Sequence, residues 1–281
     1  MATAPQTSEY RIKVLNRIKE LEKAGRFDID VEDDPPFEKL KKGDVDYPRR
    51  RLSSKLKAWF ATKKSNQFFG KLLKKKQILI NEVIGLENLK GLKGGAVLTQ
   101  NHFHPFDGVP IHVTMNKRLK KKKLYTLIRE GNYRFPGIFG FFMRNCYTIP
   151  LASDFELLKE MRQTIKEVLA KGNFLLVYAE QSMWWNYRKP KPIKPGAATF
   201  AVQNKVPLVP MYITMKDSNS FDQDGLPIQK YTLHILKPIK PDPLKNEKEN
   251  ILLMIENNQK AWKNCYEETY QIPLTYDTEN K

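Results

Sequence analysis

Cysteine is nearly absent from this chain: Cys146 and Cys265 are the two among 281 residues. Neither lies in a Cys-x-x-Cys pair, which argues against zinc ribbons and thioredoxin-type redox chemistry and predicts two reduced thiols in a cytosolic protein. Histidine is scarce too, with four residues: His102, His104, His112 and His234. No run approaches the ~18 apolar residues of a membrane-spanning helix. Met1 to Ser8 has no apolar signal-peptide core. The expectation is a protein kept in the cytosol that meets any membrane from the side. Acidic side chains are outnumbered, 31 against 49 basic, for a net charge of +18. A field of that sign favours polyanions: nucleic acid, an anionic lipid surface or a phosphorylated substrate.

Hydrophobic residues make up 41 % of the chain, enough for a globular core. Val14, Leu15, Ile18 and Leu21 recur at helical spacing, and Gly25 closes that helix. The acidic, proline-bearing stretch Asp28 to Pro36 reads as a linker. Ser53 and Ser54 are candidate N-caps for a second helix. Its stripe of Leu52, Leu56, Trp59, Phe60, Phe68, Phe69, Leu72 and Leu73 is set among lysines. Beyond Gln77, short apolar runs at 78–80, 96–99, 124–128, 174–178, 206–213 and 231–236 read as buried strands. Segments 107–119, 155–170 and 251–266 read as helices. The pattern predicts an α/β sheet covered by helices, with residues 1–76 as a basic N-terminal helical region and 77–281 as the α/β domain.

The chemistry concentrates in Asn101-His102-Phe103-His104-Pro105-Phe106-Asp107, after a predicted strand and before a predicted helix. An imidazole has the pKa to take a proton from an alcohol near neutrality, and a carboxylate five residues on can hold its tautomer. A capping aspartate beside a loop histidine gives the same spacing. So does a metal site on His102, His104 and Asp107, but a coordination sphere needs further ligands, and the reading here is no metal. A second carboxylate, Glu180, ends the apolar strand Phe174 to Tyr178. It opens a bulky run of Met183, Trp184, Trp185, Asn186, Tyr187 and Arg188, followed by Lys189, Lys191 and Lys194. That run reads either as a packed aromatic loop or as a greasy, basic rim for an amphiphile with an anionic head.

From Ile78 to Ile213 the chain resembles the glycerolipid acyltransferases, whose first motif is Asn-His-x4-Asp. Gly85-Leu86-Glu87-Asn88-Leu89, Gly94-Gly95, Ile149-Pro150, Tyr178-Ala179-Glu180, Lys194-Pro195-Gly196-Ala197 and Val206-Pro207-Leu208-Val209-Pro210 follow in the family's order. The resemblance implies that His102 is a general base and Asp107 its partner. It implies acyl transfer from a thioester of coenzyme A or acyl carrier protein to the hydroxyl of a lysophospholipid-like acceptor such as 1-acyl-glycerol-3-phosphate. No cofactor beyond that co-substrate is implied. The family's third motif, Phe-Pro-Glu-Gly-Thr-Arg-Ser, is matched at Glu180, while Gln181, Ser182 and Met183 replace glycine, threonine and arginine. The second motif's arginine after Ile-Pro is replaced by Leu151, Ala152 and Ser153. Glu180, Gln181, Ser182, Arg144, Arg188, Lys194 and Gly196 are therefore the candidate substrate-binding residues, and an acceptor without the phosphate stays open. An acceptor with a long chain resides in a bilayer. Peripheral attachment to the anionic cytoplasmic face is expected, through Leu52 to Lys76 and the patch of Lys117, Arg118 and Lys120 to Lys123, although the apolar stripe equally suits packing onto the α/β domain. The rival class is a basic nucleic-acid-binding protein. No zinc finger or RNP pattern accompanies the lysines, and no nucleic-acid partner is expected.

Overall fold

A computed structural model of the chain describes residues 6–33, 36–119 and 121–279. In chain order the elements are α1 (Glu9–Lys23), α2 (Leu52–Lys74), β1 (Leu79–Ile84), α3 (Glu87–Lys90), β2 (Ala96–Gln100), α4 (Val109–Arg118), β3 (Leu124–Arg129) and α5 (Glu130–Tyr133). They continue as α6 (Gly137–Asn145), β4 (Thr148–Leu151), α7 (Phe155–Ala170), β5 (Phe174–Tyr178), α8 (Gly196–Gln203), β6 (Leu208–Phe221), β7 (Pro227–Ile235) and α9 (Glu247–Tyr270). The strands form one seven-stranded sheet in the order β1-β7-β6-β2-β5-β3-β4. From β6 to β4 all neighbours are parallel. β7 returns antiparallel to β6, and β1 runs parallel to β7.

The central strands β2 and β5 are short apolar runs with almost no exposed residue, as a sheet covered on both faces requires. Their side chains alternate between two cores. Val97, Leu175 and Val177 point to one side, where Leu157 and Ile165 of α7, Ala198 of α8 and Met254 of α9 meet them. Ala96, Leu98, Phe174 and Leu176 point to the other, against Leu72 of α2, Leu89 of α3 and Ile111 of α4. Leu40, Val45 and Tyr47 bring the irregular stretch before α2 into the first core, and the Tyr47 hydroxyl donates to Pro150 O at 2.8 Å. Asp34 and Pro35 of the expected linker lie outside the described residues.

Five elements have no counterpart in the sequence reading: the single-turn helices α3 and α5, and β4, α6 and α8. β4 contains Pro150, a residue that argues against a strand, and β4 is the sheet's last strand, where proline is more readily accommodated. α6 and α8 begin beside Pro136 and Pro195, residues that read as breakers but here lead into helices. Two local expectations are corrected. α2 starts after Arg51 with no side-chain cap, and Ser54 instead donates to Asp46 Oδ2 at 2.6 Å. α4 starts at Val109 rather than Asp107, whose carboxylate is turned back on the preceding loop.

α2 divides its apolar stripe between two surroundings. Phe68, Phe69, Leu72 and Leu73 pack into the sheet's second core. Leu52, Leu56, Trp59 and Phe60 stay exposed, and so do Ile138 and Phe139 of the adjoining α6. Leu56, Lys57, Trp59, Phe60 and Phe141 line a shallow hollow of about 370 Å³ between the two helices. Among the described residues no helix is long and apolar enough to cross a membrane.

Gly95 sets how closely α7 approaches the start of β2. A Cβ there would stand 2.3 Å from Leu169 O and 2.8 Å from Asn173 O, both backbone atoms that cannot step aside. Gly95→Ala should destabilise the fold by ~1–3 kcal/mol. Gly196→Ala, with open space around its Cβ, should leave the melting temperature unchanged. Thermal unfolding followed by circular dichroism checks both, and equal melting temperatures for the two variants would contradict this packing.

Candidate active site

β2 and β5 lie side by side in parallel, with Gln100 paired to Tyr178. Their carboxyl ends therefore deliver His102 and Glu180 to the same edge of the sheet, where open α/β folds hold their ligands. Asn101 anchors the exit of β2. Its side chain donates to Ile213 O at 3.1 Å and accepts from Ile213 N at 2.8 Å, continuing the sheet's hydrogen bonding through an amide side chain. Gln100 fastens the far end of the turn by donating to Asp107 O at 3.0 Å.

Asp107 is fully buried. Its Oδ2 meets His102 Nδ1 at 2.8 Å and accepts the backbone N–H groups of Phe103 and His104 at 2.9 and 3.2 Å. An ionised acceptor stabilised in this way holds Nδ1 as the protonated nitrogen and leaves Nε2 with its lone pair. The His102 side chain is 22 % exposed, and Nε2 has no hydrogen-bond partner among the described residues. Tyr178 stacks on the imidazole with centroids 4.1 Å apart. Burial, and then the Asp107 carboxylate beside it, push the Tyr178 phenol well above its ordinary value, so it stays neutral.

The other histidines serve differently. His104 Nδ1 accepts from Phe106 N at 3.0 Å, so that lone pair is already used. Burial drives His104 down to about 4, and His112, behind Gly108, to about 4 as well. His234 meets Thr214 across the β6–β7 pair at 2.9 Å. Among the described residues no group of three or more His, Cys, Asp or Glu is arranged to hold a metal ion.

The candidate binding residues are scattered. Glu180 has both oxygens engaged: Oε2 accepts from His102 N at 3.0 Å, and Oε1 from Lys191 N at 2.8 Å. Gln181 is exposed, with a left-handed backbone at φ 65°. The Ser182 hydroxyl donates to Phe27 O at 2.6 Å. Arg144 donates to the carbonyls of Tyr133 and Phe135. Arg188 reaches Asp217 and Gln229 on the β6–β7 hairpin. The Lys194 N–H donates to Ala179 O at 2.8 Å, and Gly196 opens α8 at the surface. Only Glu180 of this set touches His102.

Sequence reasoning missed Arg129 and Arg11 at this edge, and gave Lys191 only as one lysine of a basic rim. Arg129, ending β3, pairs with Asp30 of the N-terminal segment. Arg11 of α1 lies over the Trp185 ring at 3.5 Å, and Trp185 packs on His104 at 4.6 Å. Lys191 is 1 % exposed and pairs with Glu180 at 3.1 Å. In a chain with so many lysines, nothing in the sequence separates the buried one from its solvated neighbours. Rings also connect the edge to the exposed face of α2 and α6. His104 neighbours Phe106, Phe106 neighbours Phe68 and Phe139, and Phe141 neighbours Phe60, at centroid distances of 5.7 to 6.3 Å.

A buried His–Asp pair at the carboxyl edge of a mostly parallel sheet is an arrangement that can move a proton to or from a bound molecule. The Acyltransferase family model matches residues 81–214, the stretch that holds this pair and Glu180. The fold is similar to that of the 1-acyl-sn-glycerophosphate acyltransferase PlsC from Thermotoga maritima, with a TM-score of 0.52 and 17 % identity over 80 % of this chain and 86 % of that one. Comparison with curated proteins finds no match. Residues 81–214 are thus similar to the Acyltransferase family, and the fold is one that a 1-acyl-sn-glycerophosphate acyltransferase also has.

The half-buried imidazoles of His104 and His112 give the fold an acid limit. Unfolded, each titrates near ~6.5. Folded, each is held down to about 4. Between those values the unfolded chain binds more protons, so stability is lost as pH falls from ~6.5 toward 4 and is untouched above that window. The loss should be ~1–3 kcal/mol per imidazole at the bottom of the window. Urea midpoints from pH 7.5 to 4.5 measure it, and the slope should shrink in His112→Gln. A midpoint independent of pH in the wild type would contradict it.

Proposed function

We propose that this protein moves a fatty acyl group from a thioester of coenzyme A or acyl carrier protein to the hydroxyl of a lysophospholipid-like acceptor at an anionic membrane surface. The observation that carries the reading is the buried Asp107 carboxylate bonded to His102 Nδ1 at 2.8 Å, with Nε2 left without a partner among the described residues. His102 Nε2 takes the proton of the acceptor hydroxyl as its oxygen attacks the thioester carbonyl. Asp107 stabilises the imidazolium that forms. The tetrahedral intermediate collapses, the C–S bond breaks, and the imidazolium returns the proton to the departing thiolate. The acceptor oxygen is the nucleophile, so no acyl-enzyme is needed. General-base catalysis contributes ~10²–10⁴ of the acceleration, with the rest from orientation and stabilisation of the oxyanion. An acceptor lacking the phosphate is a second reading. It is favoured by one observation: Arg144 and Arg188 are engaged on Tyr133, Phe135, Asp217 and Gln229, away from the His102–Asp107 pair.

The test is thiol release and product mass spectrometry with a panel of lysolipids differing in headgroup. Folded His102→Ala should lose transfer almost completely. Asp107→Asn should lose most of it, ~10²–10⁴-fold, because the preferred tautomer is released. The double variant should fall little below the worse single one, since the two act as a unit. Wild-type turnover by folded His102→Ala would end this reading.

Membrane attachment on the cytoplasmic face is part of the same proposal. Leu52, Leu56, Trp59 and Phe60 are exposed on α2, and the exposed lysines Lys55, Lys57, Lys63 and Lys64 stand beside them. Such a face suits the boundary between acyl chains and anionic headgroups. The second basic patch is weaker support. Lys117, Arg118, Lys121 and Lys123 are exposed, Lys122 is spent on Gly94 O and Gly172 O, and Lys120 lies outside the described residues. Each surface cation near the membrane adds ~1 kcal/mol, a contribution that salt weakens. Co-sedimentation with liposomes of graded anionic content should fall with salt and fall further in Trp59→Ala/Phe60→Ala. Binding indifferent to both would remove α2 from the membrane.

A further inference from the structure

We propose that Glu180 and Lys191 are positioning residues that grip the main chain of His102 and so fix where its imidazole stands. This rests on His102 being the base. β2 ends at Gln100, so His102 lies just past the sheet's ladder, in a loop with no regular secondary structure. Its peptide groups are nonetheless taken. Glu180 Oε2 accepts from His102 N at 3.0 Å. Lys191 Nζ approaches His102 O at 3.3 Å, Ser182 O at 2.9 Å and Glu180 Oε2 at 3.1 Å. Trp184 N adds a second donor to His102 O at 3.2 Å.

The ion pair is almost wholly buried, with side chains 1 % and 2 % exposed. Burial lowers the Lys191 ammonium from its ordinary range, and Glu180 partly opposes that. A pair in such a place gains little stability, because desolvation offsets the attraction. It does supply charged, directional hydrogen bonds. Here one bond from each side chain ends on the residue whose placement decides proton transfer. Asp107 sets the rotation of the ring, and Glu180 with Lys191 sets the backbone that carries it. Neither residue of the pair needs to touch substrate.

The role predicts a defect in turnover rather than in binding. In Lys191→Met and in Glu180→Gln, kcat should fall ~10–10²-fold while KM for thioester and acceptor changes by no more than about twofold. Gln has one acceptor oxygen and would turn an N–H toward either His102 N or Lys191 N. Folding is verified by near-UV circular dichroism, and kcat is measured well below each melting temperature. Wild-type kcat in folded Lys191→Met would make the pair a mere strut. A raised acceptor KM with normal kcat in Glu180→Gln would make Glu180 a substrate contact. Either result overturns the proposal. His102→Ala is run in parallel: if it is inert while Lys191→Met is fast, only the positioning role fails, whereas an active His102→Ala removes the base itself. Should both variants fail to fold, amide hydrogen exchange on the wild type decides. The His102 N–H should be protected as well as the amides of β2, and exchange at open-loop rates overturns the assignment.

Discussion

One carboxylate oxygen organises the turn at the carboxyl end of β2. Asp107 is fully buried, and an unpaired charge there would be prohibitively costly. Its Oδ2 is met by the ring of His102 and by two backbone N–H groups. Those three donors come from consecutive residues, 102 to 104. The turn between β2 and α4 must therefore curl around the carboxylate. Once it does, His102 has its tautomer fixed, and α4 cannot begin before Val109. The requirement that a buried charge find partners thus shapes the loop, and the shaped loop presents the lone pair.

The sheet was legible because β2 and β5 are covered on both faces, and a covered strand reads as an unbroken apolar run. The His102–Asp107 spacing was legible because it is local: five residues of one turn hold both groups. What could not be read is whatever depends on distant partners. Lys191 resembles every other lysine in a chain with 49 basic residues, and only the packed structure sets it against Glu180. β4 was hidden by Pro150, whose missing donor costs nothing on the sheet's last strand. Arg144 and Arg188 lie near the motifs in sequence, yet one is held by carbonyls before α6 and the other by the β6–β7 hairpin. Sequence proximity to a motif does not carry across a crossover.

α2 shows why its stripe could not be assigned to one role. Helical periodicity records which residues avoid water, not what replaces the water. Phe68 and Leu72, toward the carboxyl end, have the sheet's second core for neighbours. Leu52 and Trp59, toward the amino end, stay mostly exposed. Ala58, Ala61 and Ser65 are the small residues that let α2 approach α6 along the way.

The departures from the family's third motif have a physical reading of their own. Gln181 stands where the family has glycine and adopts a left-handed backbone, a conformation that costs a side-chain-bearing residue ~1–2 kcal/mol. Neighbouring contacts hold it there. The Ser182 hydroxyl donates to Phe27 O, Met183 N to Asp30 Oδ1 at 2.6 Å, and Trp184 Nε1 to Ile29 O at 2.7 Å. Phe27 stacks on Trp184, and the tail reaches the same loop through the Tyr276 hydroxyl on Pro190 O. Serine, methionine and tryptophan after Glu180 are thus fitted to the chain's own N-terminal segment. In this protein residues 27–30 fasten the loop from outside, and the loop in turn carries Trp184 and Lys191 to the carbonyl of His102. The N-terminal segment is thereby coupled to His102 through two layers of hydrogen bonds, without touching it.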